Sequence, residues 1–395
     1  MAITFNADTT NGAVITSDTS GEIELQANGV TKAKVTANGL QDANGNSLRG
    51  GSYRNHIING DMRFDQRNNG ASVTPASGGY NLDRWQYIAT QASKMTVQQS
   101  SVAPSGFTHS TLITTSSAFS VGSNDIFGFR QNIEGLNISH LDWGTANAKT
   151  ISVSFWVRSS LTGTFAGNIQ NDAQDRSYVF SFTINSANTW EQKSVTITGD
   201  TTGTWLKTNG TGMRLGFVLG AGSSQENTAG SWHSGNFRSV SGATSVVGTS
   251  GATFYITGAQ LEVGEGASDF EFLPYDVQLQ RCQRYYEHNY GTGYAIGSAK
   301  SYPNNIGCDI NGFTTTNGQK YYTVPYKVVK RAVPSVTIYD GNGNVGKVTT
   351  VDLGGTPTHN ASIGLIFVND QFVGAGSGNG THSGINYFFV SSAEL

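Results

Sequence analysis

Charge is scarce in this chain of 395 residues. Asp, Glu, Lys and Arg together make up 13%, with 24 basic and 27 acidic side chains and a formal net charge of −3. The basic residues form no run or patch along the sequence, which argues against recognition of nucleic acid through its phosphates. Long apolar stretches are missing as well. No run approaches the roughly 18 residues that a membrane-crossing helix needs, so no membrane insertion is expected. The opening residues, Met1-Ala2-Ile3-Thr4-Phe5-Asn6, lack a basic segment followed by an apolar one and do not read as a secretory signal. Two cysteines, Cys282 and Cys308, are too few for a disulfide framework and are expected to be free thiols. Production in a reducing cytosol fits this usage.

What the chain does have is glycine, at 50 residues, and an aromatic content of 11%. The aromatics and the low charge argue for packed cores rather than disorder. Turn and strand formers dominate, so the fold class is all-β. Strand patterns are clearest at 151–158, 190–198 and 254–263. In the first, Ile151, Val153, Phe155 and Val157 alternate with Ser152, Ser154, Trp156 and Arg158, the period of two of a half-buried strand. Similar alternation at 178–184 and 213–219, with strand starts near 82 and 94, predicts a β-sandwich of jelly-roll type. Trp85 reads as core. Residues 220–251 read as a long Gly/Ser-rich loop carrying Trp232.

Four segments follow from this pattern. Residues 1–52 hold Ala-Asn-Gly three times, at 27–29, 37–39 and 43–45. Asn-Gly is a hairpin signal because both positions tolerate positive φ. One copy of so thin a segment cannot bury enough apolar surface to stand alone, so strands intertwined among identical chains are expected. Residues 53–275 form the jelly roll. Residues 276–288 form a short linker helix, capped by Asp276, with Leu279, Cys282 and Tyr286 on one face. Residues 289–395 form a C-terminal β-sandwich.

Candidate chemistry is sparse. Gly341-Asn342-Gly343-Asn344-Val345-Gly346-Lys347 resembles a phosphate-binding loop, but a strand rather than a helix follows it. It is expected to be the loop of a hairpin between 336–339 and 347–351. The seven histidines show no metal spacing. Glu262 and Asp269, beside glycine-rich loops, could hold a structural Ca²⁺, although no cofactor is required. The acid pairs Asp61/Asp65 and Asp269/Glu271 are the nearest thing to a glycoside-cleaving arrangement. Aromatics are the better lead, since sugar faces stack on Trp or Tyr while Asn, Gln and Arg take the hydroxyls. Trp156 and Arg158, on the polar face of their strand, and Trp232 are the candidate glycan-binding residues.

Several stretches resemble tail fibres and other receptor-binding virion proteins of tailed bacteriophages. They are 55–67 with Asp83-Arg84-Trp85; Arg130-Gln131-Asn132-Ile133-Glu134-Gly135-Leu136; 152–159; and 258–264 with Gln280-Arg281-Cys282-Gln283-Arg284-Tyr285-Tyr286. The resemblance covers roughly residues 1–288. It implies a homotrimeric fibre whose residues 1–52 attach to other virion tail proteins, and a jelly roll similar to carbohydrate-binding modules. The expected function is binding of a host-surface glycan or protein during adsorption, without enzymatic activity. The alternatives are a structural connector or decoration protein of the virion and a polysaccharide depolymerase.

Overall fold

A computed structural model of the chain describes residues 22–36, 39–42, 53–291, 294–299, 307–308, 320–352, 354–377, 382 and 384–395. The expected turn at 43–45 and the boundary at 50–52 lie outside them. The described residues are nearly all-β, and no helix among them is long and apolar enough to cross a membrane.

The first strands, β1 (Ile23–Ala27), β2 (Val30–Thr36) and β3 (Gly39–Asp42), form an antiparallel meander. The β1–β2 turn is Asn28-Gly29, both at positive φ, as the Asn-Gly signal predicts. Within the chain β1 pairs with β2 and β2 with β3. The register sets Ile23 opposite Val35, Leu25 opposite Ala33 and Val35 opposite Leu40, so one face is apolar. On the other face Lys34 pairs with Glu24 at 3.0 Å and Glu22 at 3.4 Å.

The jelly roll is a two-layer sandwich. One layer has seven strands, ordered β14-β11-β10-β13-β8-β5-β4. In chain order these are β4 (Tyr80–Leu82), β5 (Trp85–Ala89), β8 (Ile126–Glu134), β10 (Gly163–Gln170), β11 (Arg176–Ile184), β13 (Thr211–Ala221) and β14 (Trp232–Ser234). The other layer has five, ordered β12-β9-β15-β7-β6: β6 (Met95–Ser100), β7 (Ser110–Thr115), β9 (Ile151–Ser159), β12 (Glu191–Ile197) and β15 (Thr253–Val263). Inward-facing Trp85, Phe129, Phe155, Phe165, Phe217 and Phe254 fill the space between. Trp85 is core, as expected, stacked on Phe129 at 4.9 Å.

Residues 55–64 wedge between the two layers. His56 and Gly60 bond the backbone of β15 at Leu261 and Ala259. On the other side Ile58 exchanges two hydrogen bonds with the Gln131 side chain of β8. Gly60 is obligatory: a Cβ there would stand 2.1 Å from the Ala259 carbonyl oxygen.

One helical turn, α1 (Gly135–Ile138), follows β8. The longer helix, α2 (Tyr275–Gln283), starts after Pro274, with no side-chain cap from Asp276. It is shorter than the expected 276–288, because Tyr286–His288 extends as β16 and joins the next domain. Docking holds the helix: Cys282 is a buried free thiol packed with Ile58, Phe64 and Tyr285.

The C-terminal region has two sheets, consistent with a second β-sandwich. A three-stranded sheet joins β16, β19 (Ser335–Tyr339) and β24 (Phe388–Ser392). A six-stranded sheet joins β17 (Gly307–Cys308), β18 (Lys320–Pro325), β20 (Lys347–Val351), β21 (Pro357–Val368), β22 (Phe372–Ser377) and β23 (Gly384–Asn386). Ile338, Val348, Val373, Ile385 and Phe389 pack together between them. The expected hairpin between 336–339 and 347–351 does not form. β19 pairs with β24 and β20 with β21 and β23, in different sheets, leaving a single bridge from Tyr339 to Val345. The Gly-Asn-Gly-Asn loop is closed by Asp340, whose carboxylate accepts the Asn342, Asn344 and Asn360 amides. Those amides are unavailable to a phosphate.

The two β domains are clasped. Glu134 takes Arg284 at 3.0 and 2.7 Å and the Tyr285 hydroxyl at 2.5 Å. Glu394 takes both Arg67 and Arg84. The buried pair Lys330–Glu287, at 2.6 Å, joins β16 to the loop before β19.

Candidate glycan-binding face

Strand β9 carries the sequence-predicted pair Trp156 and Arg158 on the outer side of the five-stranded sheet. Register sets their neighbours. Tyr255 on β15 lies opposite Arg158, and Thr257 lies opposite Trp156. Leu112 on β7 lies opposite Tyr255. Beyond β9, Gln192 faces Trp156, and Trp190 comes in just ahead of β12. The result is a strip of rings across the sheet.

Packing and one cation fix the strip. The Arg158 guanidinium sits 5.0 Å from the centre of the Tyr255 ring and donates from Nε to the Asn188 carbonyl at 2.9 Å. Tyr255 meets Trp190 edge-on at 6.0 Å. Trp156 approaches Phe107 over Gly258. That residue has φ +60°, and a Cβ on it would lie 2.8 Å from Phe107 and 3.0 Å from Trp156. Glycine therefore satisfies two demands, a left-handed backbone at a β-bulge and room for two rings. Phe107 continues to Phe270 at 5.2 Å and to Phe272 at 5.1 Å, and Phe272 is 53% exposed. Trp156, Arg158, Trp190, Tyr255 and Phe107 are all half-buried, each held from beneath and open above. The other end of the same β9 face is closed: Ser152 and Ser154 are buried, with Ser152 bonded to the Gly264 carbonyl.

Trp232 is elsewhere. It lies on the edge strand β14, paired with β11, rather than in an unstructured loop. Its ring packs against Trp143, Tyr178 and Trp205 at 5.3–5.5 Å, and its indole N–H donates to the Thr198 carbonyl at 2.8 Å. A half-buried Trp with its donor already used is a packing residue of the seven-stranded layer, and it does not join Trp156 and Arg158. Trp190, Tyr255 and Phe107 were not singled out from sequence. Only the strand order makes them neighbours of Trp156.

Four of the acidic candidates, Glu262, Glu271, Asp61 and Asp65, are engaged, while Asp269 is exposed. Glu262 accepts from the Ser268 amide and hydroxyl and from Gln260, with Arg54 at 3.7 Å. Surrounded by donors and a guanidinium, it offers little to Ca²⁺, and no group of three or more acidic, His or Cys side chains converges among the described residues. Glu271 takes the Tyr53 and Asn55 amides. Asp61 pairs with Arg63 and is buried, which raises its pKa. Asp65, raised to about 6 by burial, accepts the Asn68 and Gly70 amides. It lines a cavity of roughly 200 Å³ between the domains, with Arg63, Gln66, Tyr275, His288 and Lys327.

No protein-family profile matches the chain, and neither does any curated protein. Solved structures resembling it include the enzymatically active domain of tailspike protein 4 of bacteriophage CBA120. It is 14% identical, with a TM-score of 0.32 over 54% of this chain and 22% of that one. A family 4 carbohydrate-binding module is 15% identical, with a TM-score of 0.29 over 52% of this chain and 99% of the other. The module TmCBM61, solved with β-1,4-galactotriose, is 11% identical, with a TM-score of 0.27 over 53% and 99%. This chain spans less than a quarter of the length of the tailspike structure. Likeness this distant assigns no function.

Proposed function

We propose that the protein is a tail-fibre-type virion component that binds a host-surface glycan during adsorption, using the outer face of the five-stranded sheet. The observation that carries the reading is the strip Phe107–Trp156–Tyr255–Trp190 with Arg158 at its centre. Ring faces stack on the apolar C–H faces of sugars, and Gln192 and Arg158 supply polar groups for hydroxyls. The rings are preset by packing, so little side-chain freedom is lost on binding. Binding without cleavage fits a sheet beside which the Glu271 carboxylate is taken by the Tyr53 and Asn55 amides.

The N-terminal meander supports assembly. Leu25, Val35 and Leu40, on its apolar face, are 41–51% exposed, a pattern that calls for a partner surface. Packing of that face against the same face of two further copies would give a trimer, with residues 1–52 as the attachment end. Three weak sites held together bind far more firmly than one through effective concentration.

The test is adsorption competition with the purified full chain, its mass in solution measured first. Wild-type protein should block adsorption, while Trp156→Ala should fail at equal stability. If wild-type protein leaves adsorption untouched and binds no cell, the connector reading replaces this one. Release of sugar fragments from host polysaccharide would favour the depolymerase reading instead.

A further inference from the structure

The outer face of the seven-stranded sheet carries a second, differently built surface. Register places two polar rows side by side across β10, β13, β8 and β5. One reads Asn168–Gly216–Arg130–Gln86. In the next, Gln170, Arg214 and Asn132 stand abreast. Gly216 leaves a gap in the first row, where a Cβ would touch the Asn168 amide at 3.0 Å. Covers stand on both sides. The Asn236 side chain and the Phe237 and Arg238 carbonyls lie over Asn168 and Gln170. The Leu395 carbonyl and the Tyr80 hydroxyl lie against Asn132. Between them runs a shallow strip, floored by buried amides and partly exposed at its arginines.

Three arginines converge on it. Arg238 reaches Gln170, Gln174 and Gln225, all neutral. Arg130 gives Nε to Gln86 at 2.8 Å, while its Nη1 and Nη2 hold no hydrogen bond and are not sealed from solvent. Arg214–Asp172, at 2.7 Å, is the cluster's only ion pair among the described residues. Like-charge contact among the three, after burial, depresses the Arg130 and Arg238 guanidiniums. Asn132 Oδ1 and Arg214 Nε are buried without a partner. Uncompensated like charge beside unsatisfied polar atoms is costly unless a ligand relieves it.

We infer that this strip is an anion-binding glycan site, taking a carboxylate-bearing sugar of an acidic polysaccharide on the free arm of Arg130 between Arg214 and Arg238. Arginine's fork matches a carboxylate. Tyr80 and Phe237 stand at its two sides, so a single-strand nucleic-acid ligand is the competitor that the titration below must separate. The inference stands apart from the aromatic strip, which lies on the opposite sheet.

The experiment is calorimetric titration of the full chain with an oligogalacturonate, an uncharged gluco-oligosaccharide of equal length and an oligothymidylate, at low ionic strength. Saturable binding of the oligogalacturonate is expected, weakening as salt rises. Arg130→Gln should weaken it at least about tenfold, the cost of losing a charge-assisted bond, and Trp156→Ala should leave it unchanged. Arg238→Gln provides the same test should Arg130→Gln fold poorly. The inference is overturned if oligogalacturonate does not saturate, if the arginine variants bind as wild type, or if oligothymidylate binds as tightly.

Discussion

The two outer faces of the sandwich are made by one rule and serve different chemistry. Alternation along β9 and β15 sends Phe155, Val157, Phe254 and Ile256 inward and Trp156, Arg158 and Tyr255 outward. Alternation along β8 and β13 sends Phe129, Leu215 and Phe217 inward and Arg130 and Arg214 outward. The first face is held by ring packing, the second by hydrogen bonds among amides and guanidiniums. An outer face of rings should bind with little dependence on salt. An outer face of arginines should lose its ligand as ions screen it. The difference shows that leaving the core is not the same as being available. Trp232 and Trp156 are both half-buried, yet one is spent on packing and the other is not.

The largest effect expected is on that pair of tryptophans. Trp232→Ala removes a ring wedged among Trp143, Tyr178 and Trp205 and should cost roughly 3 kcal/mol of stability, the low end for a large aromatic truncation. Trp156→Ala should cost under about 1 kcal/mol, because its outer side is open, while abolishing glycan retention. Chemical denaturation of each variant, beside a cell-binding assay, reads both. Equal destabilisation by the two would erase the distinction between packing Trp and platform Trp.

The next effect concerns the seam joining the faces. His56 lies in the wedge of residues 55–64, its ring 4.9 Å from that of His140. Burial, then the neighbouring His140 and Arg281, lowers its pKa from 6.5 to about 4. The folded state therefore keeps His56 neutral where the unfolded chain would protonate it. Its contribution is complete above pH 6.5 and is lost as pH falls toward 4, a change of about 3 kcal/mol. His56→Gln should flatten the stability profile over that interval. An unchanged profile would mean that other groups dominate the acid response.

A third prediction returns to the aromatic face. Gly258→Ala puts a Cβ against Phe107 and Trp156 at a left-handed backbone position, and should cost about 2 kcal/mol. Thermal unfolding measures it. Glycan binding should fall with it, since neither ring can stay where it is.

Much of this was legible in the sequence, and the limits have physical causes. The strands at 151–158, 178–184, 213–219 and 254–263 were readable because a period of two with β-branched and aromatic residues is a local signal. Trp156 and Arg158 were placed on an outer face for the same reason. Their neighbours were not readable. Tyr255 comes nearly a hundred residues later, and the strand order β12-β9-β15-β7-β6 depends on long-range pairing. The arginine strip was hidden more thoroughly. Arg130, Arg214 and Arg238 are far apart in a sequence with little charge, so no basic run announces them. The expected hairpin at 336–351 failed because two good strands beside an Asn-Gly turn look local, while β19 found its partner in β24. The short helix was overextended because Tyr286 fits both a helical face and the strand it occupies.

The smallest expected effect sharpens the comparison most. Gly216 lies on the arginine face as Gly258 lies on the aromatic one, but the nearest atoms to a Cβ at Gly216 belong to the Asn168 side chain, at 3.0–3.4 Å. No positive φ is required there, and an amide can turn aside. Gly216→Ala should therefore change stability by less than about 1 kcal/mol, where Gly258→Ala costs more. It would still fill the gap in the polar row and displace the amide that floors the strip. Oligogalacturonate binding should weaken while cell binding through the aromatic strip persists. Two glycine substitutions of the same size would then separate the faces, one acting through the fold and the other through the ligand alone. If Gly216→Ala destabilises the chain as much as Gly258→Ala, that gap is a packing requirement like the one beneath Trp156, and the two faces differ less in construction than their side chains suggest.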